Sequence, residues 1–258
     1  PAWHDLSALT YHFWTQPLPA WTAWYVHQLP VPLLRAGCGI MFAIELAIPF
    51  CVFGPRRVRR VAAIAFTGLM LVIALTGNYT FFNLLTAAPC LPLLAARPCP
   101  ARRRIGPPPG PRLAWWRPGV LAARAGLVLL VSVPTFLGAC RVRVPWPGAL
   151  ERLHAAVGPF RSINGYGLFA VMTRTRPEIV IEGSRDGVTW TAYPFRWKPG
   201  DPGIRPRFVA PHQPRLDWQM WFAALGDYQG NPWLIRFMVR LLEGSPPVQD
   251  LLAGNPFP

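Results

Sequence analysis

Long apolar runs separated by clusters of arginine constrain this chain more than any other feature. Val31–Phe53, VPLLRAGCGIMFAIELAIPFCVF, would reach about 34 Å as an α-helix, enough to cross the hydrocarbon core of a bilayer. Val61–Gly77 would reach about 26 Å and spans only if the Asn-Tyr-Thr turn after it lies at the interface. Phe81–Ala96 is shorter and is broken by Pro89 and Pro92, whereas Gly119–Cys140 is clear apart from Arg124 near one end. With 52% hydrophobic and only 14% charged residues, the 258-residue chain is too apolar for an ordinary soluble domain of its length.

The formal net charge of +15 is carried almost wholly by arginine, Lys198 being the only lysine. Such an excess suits nucleic acid, anionic lipid or the cytoplasmic loops of a membrane protein, and position along the chain decides between them. Two clusters stand between the apolar runs, PRRVRR at 55–60 and an arginine- and proline-rich stretch at 97–118. No RNP-like, zinc-finger or helix-turn-helix pattern accompanies them, so the expected partner is the lipid bilayer and not nucleic acid. Short arginine-rich connectors stay on the cytoplasmic side. Val61–Gly77 then crosses outward, Phe81–Ala96 returns, and Gly119–Cys140 crosses outward again. The expected organisation is an exoplasmic segment over 1–30, a transmembrane region over 31–140 with segments at 31–53, 61–77, 81–96 and 119–140, and an exoplasmic or lumenal domain over 141–258. If Phe81–Ala96 is re-entrant instead, the C-terminal part lies inside.

Polar residues within such runs need a reason, because an acid or arginine at the bilayer centre costs about 2.5–3.5 kcal/mol on insertion scales. Arg35 is close enough to a helix end to snorkel. Glu45 lies deeper and is expected to face a neighbouring helix. Asn78 and Asn83, in TGNYTFFNLLT at 76–86, are expected to bond backbone groups where a helix ends. Cysteines 38, 51, 90, 99 and 140 lack the spacing of a zinc site and read as small apolar side chains.

The C-terminal part has strand-like runs LFAVMT, EIVIEG and VTWTAYPF, with Asp186-Gly187 as a hairpin turn between the last two. A pair of helices follows. Leu234, Phe237, Met238, Leu241 and Leu242 repeat at helical spacing, as do Trp218, Trp221, Phe222 and Leu225. The 12 tryptophans, many at segment edges, suit a membrane-interface belt. The expected fold class is an α-helical multi-pass membrane region followed by a small α+β exterior domain, β-rich with a helical pair.

Several segments together resemble the lipase maturation factor family. They are YHFWTQPLP with WYVHQLP (Tyr11 to Pro30), TGNYTFFNLLT, INGYGLF (Ile163 to Phe169), IEGSRDGVTW (Ile181 to Trp190), PHQPRLDWQMWFAAL (Pro211 to Leu225) and NPFP at the end. They run in the family's order and cover most of the chain. The resemblance implies a multi-pass membrane protein, resident in the endoplasmic reticulum in eukaryotes, that assists folding and assembly of secreted dimeric lipases with its C-terminal region in the lumen. It also implies further helices upstream, so the chain reads as a fragment of a longer protein. Abundant Ala, Arg and Pro hint at a GC-rich bacterial source, in which case the membrane is the bacterial cytoplasmic membrane.

No G-x-S-x-G elbow, glycine-rich phosphate loop or zinc-binding histidine pair is present, so neither catalysis, cofactor nor metal is expected. The best acid–base candidates are His212 and Asp217 in PHQPRLDW. Their structural reading has Asp217 capping the helix that begins there while His212 and Arg215 pack the turn against the sheet. His212, Gln213, Arg215, Asp217, Trp218 and Trp221 are the candidate client- or partner-binding residues, and Glu45, Asn78 and Asn83 the intramembrane polar ones. Two functions remain open. One is a non-catalytic folding factor that holds a secreted lipase or another exported client on exposed apolar surface. The other is an intramembrane enzyme in which Glu45, Asn78 and Asn83 line a cavity acting on a lipid or acyl group.

Overall fold

A computed structural model describes residues 2–95, 116–142, 144–167 and 169–257. The chain forms two compact bodies, residues 1–96 with 172–258, and residues 97–171.

In the first body, α1 (Ala8–Thr15) and α2 (Trp21–His27) form a short helical pair. Gln16 ends α1 with extended backbone, the conformation that a following proline imposes. Phe13, Ala20, Ala23 and Leu34 close a small core beneath the pair. The first apolar run forms α3 (Val31–Leu46) and, after a break at Ala47, α4 (Ile48–Cys51). Pro49 has no N–H to continue the ladder there. The second run begins earlier than its hydropathy suggests, as α5 (Arg56–Thr76). The PRRVRR cluster is therefore the first turn of a helix and not a loop, since arginine is a good helix former and Pro55 starts the helix without strain.

The run at 81–96 is divided. It forms α6 (Phe82–Ala87), a 3₁₀ turn at Ala88–Cys90 and α7 (Leu91–Ala95), with Pro89 and Pro92 at the breaks. Its apolar helical stretch, Phe82–Leu94, reaches only about 20 Å. Among the described residues, three helices are long and apolar enough to cross a membrane: Val31–Cys51, Arg56–Thr76 and Pro118–Ala139. Leu33, Ile40, Phe50, Ile64, Leu71 and Leu129 all stand exposed along them. Leaving each such side chain in water would forfeit about 1.5–3 kcal/mol relative to burial. A bilayer removes that cost, so these helices are built for lipid.

The C-terminal part of the first body holds one antiparallel pair, β1 (Glu182–Gly183) and β2 (Thr191–Ala192), with Glu182 opposite Ala192. The expected hairpin is present and Gly187 takes a φ of +73° at its turn. Among the described residues the strands are two residues each, and residues 169–173 form none, so the small α+β module is carried mainly by its helices. Pro177 lacks a ladder donor, and Ile179 and Ile181 pack against helices instead. Those helices are α10 (Arg215–Ala224), α11 (Pro232–Leu242) and α12 (Pro246–Gln249). Leu216, Met220 and Ala223 of α10 meet Leu234, Phe237 and Leu241 of α11 in the core, with Leu252 and Ile181. The aromatic stripe Trp218, Trp221, Phe222 and Leu225 falls at helical spacing as expected, while the core face of α10 is Leu216, Met220 and Ala223. Trp218 and Trp221 are half-buried and meet Phe222 in tilted and edge-to-face contacts, with ring centroids 4.5 Å and 4.9 Å from it.

The second body contains α8 (Trp116–Ala139), which carries Pro134, and α9 (Gly148–Val157). The Thr135 hydroxyl donates to the Val131 carbonyl at 2.8 Å, and His154 Nε2 lies 3.1 Å from that hydroxyl.

Candidate functional site at the end of the helical hairpin

The last carbonyls of a helix lack intrahelical partners. At the end of α5, the Thr22 hydroxyl of α2 donates to the Leu75 carbonyl, and Gln16 Nε2 donates to the Thr76 carbonyl at 3.1 Å. Gly77 then turns the chain so closely that a Cβ there would lie 2.2 Å from the Tyr79 ring. The next residue ties the turn to the C-terminal part. Asn78 Nδ2 donates to the His212 carbonyl at 2.8 Å, and Gln213 Nε2 donates to the Asn78 carbonyl at 2.5 Å. The Tyr79 hydroxyl lies 3.1 Å from His12 Nε2. Burial lowers the His12 pKa to about 4 and raises that of Tyr79, so both are neutral near pH 7.

A second tie joins the N-terminal pair to residues 176–198. The Arg176 guanidinium donates to the carbonyls of Trp14, Gln16 and Pro17, which places a cation at the C-terminal end of α1. Its Nε meets one Glu178 oxygen at 2.5 Å, and Lys198 meets the other at 2.5 Å. The Arg176 and Lys198 side chains are only 9% and 7% exposed, so their charges depend on Glu178. Burial lowers the Arg176 pKa, and the Glu178 carboxylate beside it offsets part of that shift.

Asp217 sits within the first turn of α10, buried, and its Oδ1 accepts the main-chain N–H groups of Trp197 and Lys198, each at 2.8 Å. It does not cap its own helix, which corrects the capping reading; Pro214 precedes that helix and supplies no side-chain cap. Between the N-terminal pair and the loop at 199–206 lies a cavity of about 500 Å³. Phe13, Trp14 and Trp24 line it from the helices, and Pro199, Pro202 and Ile204 from the loop. Trp24 Nε1 donates to the Pro202 carbonyl at 3.2 Å beside it.

The residues singled out in the sequence divide accordingly. Asn78 meets His212 and Gln213, so one intramembrane candidate and two partner-binding candidates form a single junction. His212 and Arg215 have exposed side chains, and it is the His212 main chain that joins the junction. The Arg215 Nε donates to Gln219 Oε1 at 3.2 Å. Glu45 is exposed on α3 and Asn83 is buried on α6, and no hydrogen bond joins them among the described residues. Asn83 and Asn78 therefore do different things. Arg176, Glu178, Lys198 and Gln16 escaped the sequence reading. Their one signal was charge inside an extended apolar run, at Arg176-Pro177-Glu178, together with the sole lysine. Cys38 and Cys90 are buried, Cys140 is exposed, and no disulfide forms among the described residues; Cys99 lies outside them.

Three helices long and apolar enough to cross a bilayer, with a small C-terminal module fastened to the end of α5, define an integral membrane protein. The chain belongs to the lipase maturation factor family: the family's transmembrane domain matches residues 1–100 and the lipase maturation factor C-terminal domain matches residues 162–258. Lipase maturation factor 2 of Rattus norvegicus is 33% identical, aligned over 100% of this chain and 51% of its own length. The Gallus gallus lipase maturation factor 2 is 32% identical over 98% of this chain and 49% of its own. Lipase maturation factor 1 of Mus musculus is 30% identical over 99% and 48%. The chain thus spans about half the length of the curated relatives it matches. No solved structure matches it.

Proposed function

We propose that this chain serves in a membrane-embedded, non-catalytic maturation factor that helps secreted lipases, or other exported clients, fold and assemble. The observation that carries the proposal is the family match over both domains, joined to the position of the junction. Residues 16, 22, 78, 212 and 213 all meet at the Thr76 end of α5, the end remote from Arg56, Arg57, Arg59 and Arg60. If the arginine end faces the cytoplasm, the N-terminal pair and the module at 172–258 both face the exoplasm. Asn78 and Met172 then lie on the same side, so an even number of crossings must separate them. That side is where exported clients fold: the endoplasmic reticulum lumen in a eukaryote, the outer face of the cytoplasmic membrane in a bacterium.

Two features suit a client held without covalent chemistry. One is the half-exposed aromatic face of α10, Trp218, Trp221 and Phe222; the other is the apolar cavity walled by Phe13, Trp14 and Trp24. The enzyme reading needs Glu45 and Asn83 in one inward-facing cluster, and Glu45 is exposed. The test is deletion of the full-length gene, with secreted lipase protein and lipase specific activity measured together. Normal protein with lost specific activity supports a maturation role; no change in either contradicts it.

A further inference from the structure

We propose that the protein carries a site for the phosphate of an anionic phospholipid, where α2 meets the loop at 204–208. Trp21, Arg205, Arg207 and Phe208 line a shallow cavity of about 400 Å³ there. The Arg205 guanidinium lies over the Trp21 ring, 5.4 Å from its centroid, and donates to the Tyr25 hydroxyl at 3.2 Å. Arg207 donates to the Arg196 carbonyl at 3.2 Å. Among the described residues neither guanidinium is ion-paired. Asp201, the acid nearest in sequence, turns its carboxylate back to the Gly203 N–H at 2.7 Å. Each guanidinium has five N–H donors, so most of them remain open, on an aromatic wall and in the fork geometry that matches phosphate.

Position decides where that phosphate comes from. Thr22, on the same helix as Trp21 and Tyr25, bonds the Leu75 carbonyl in the last turn of α5. The site therefore stands at the level where a membrane span leaves the hydrocarbon. Ile204 and Phe208 beside it are each 68% exposed. Exposed apolar and aromatic side chains next to arginine match the boundary between headgroups and acyl chains. A soluble anion would gain nothing from Ile204 or Phe208, whereas a lipid gains from both. The two uncompensated cations select anionic over zwitterionic lipid. An arginine near an anionic surface strengthens binding about fivefold, so the two together contribute roughly thirtyfold.

The site needs lipid and no client, so it stands or falls apart from the maturation role. The test is thermal unfolding of the full chain in neutral detergent, titrated with phosphatidylglycerol, phosphatidylcholine or inorganic phosphate. Phosphatidylglycerol should raise the melting temperature saturably, and the other two should not. The variant R205Q/R207Q should need about thirtyfold more phosphatidylglycerol, while R236Q/R240Q on α11 should respond as the unaltered chain. R207Q alone, which loses a single bond to a carbonyl, covers the case in which the double variant fails to fold, and should need about fivefold more. An unchanged response in the Arg205 and Arg207 variants overturns the site. An equal loss in R236Q/R240Q, or stabilisation by inorganic phosphate, overturns it as well.

Discussion

Asn78 and His212, 134 residues apart, are joined by a bond from the Asn78 amide to the His212 main-chain carbonyl at 2.8 Å. Gln213 answers with its own amide to the Asn78 carbonyl, so the turn after α5 and the turn before α10 are fixed by reciprocal bonds. The contact uses what asparagine can donate, and the buried Asn78 Oδ1 has no partner among the described residues.

That asymmetry predicts an order of variants. Asn78→Ala should cost about 1 kcal/mol, the net worth of one hydrogen bond. Asn78→Asp, nearly the same shape, should cost about 2–3 kcal/mol at pH 8, because it sets a buried acceptor against the His212 carbonyl. Thermal unfolding of the full chain in detergent checks this, and an aspartate variant as stable as the alanine one would refute the geometry.

Arg176 should not tolerate lysine. Its guanidinium reaches three carbonyls and Glu178 at once, and a single ammonium cannot. Arg176→Lys and Arg176→Met should each destabilise the chain by about 3 kcal/mol, the scale for breaking a buried pair. A lysine variant within about 0.5 kcal/mol of the unaltered protein, the range of ordinary surface changes, would show that the capping bonds carry little.

His12 predicts a pH dependence. Its folded pKa, lowered by burial to about 4 from 6.5, means that the unfolded chain takes up a proton over this interval and the folded chain does not. Stability is therefore full above pH 6.5, falls as the pH drops toward 4 by on the order of 3 kcal/mol, and levels off below as far as His12 is concerned. Burial lowers the His27 pKa too, which adds a slope of the same sign. Melting temperatures measured from pH 7.5 to 4 should fall less steeply in His12→Gln. An equal slope in that variant would place the titration elsewhere.

Filling the cavity separates client capture from stability. Gly200 lines it, and a Cβ there would meet nothing within 4 Å. Gly200→Trp should leave the melting temperature unchanged within about a degree while lowering secreted lipase specific activity in a gene-replacement strain, because the indole occupies space a client side chain would use. Full activity with a filled cavity would remove this pocket from the client pathway and leave the α10 aromatic face.

Much of the membrane region is legible in the sequence because hydropathy over a long window reports solvent directly; α3, α5 and α8 all fall where the apolar runs do. In the sequence the arginines of 56–60 look like a connector, since charge marks a boundary in hydropathy but not in helix propensity, yet they begin α5. The hairpin at Asp186-Gly187 was legible from turn chemistry, yet the strands around it are short because Ile179 and Ile181 serve the helices. On α10 the bulky aromatics drew attention from Leu216, Met220 and Ala223, which fill the core. The junction itself was half visible. Asn78, His212 and Gln213 stood out as polar residues in unusual places, but the atoms that Arg176, Gln16 and Thr22 bind are main-chain carbonyls, which leave no mark in a sequence.

The side of the membrane on which the junction lies tests the whole account most directly. In a cysteine-free full-length protein, Val188→Cys presents a thiol in the hairpin turn, where Val188 is 81% exposed, and Phe53→Cys presents one near the arginine end of α5, where Phe53 is 90% exposed. An impermeant maleimide applied to intact cells, or to the lumenal face of sealed microsomes, should label position 188 at once and position 53 only after permeabilisation. Labelling of position 53 first, or of both together, would contradict a module that works on exported proteins.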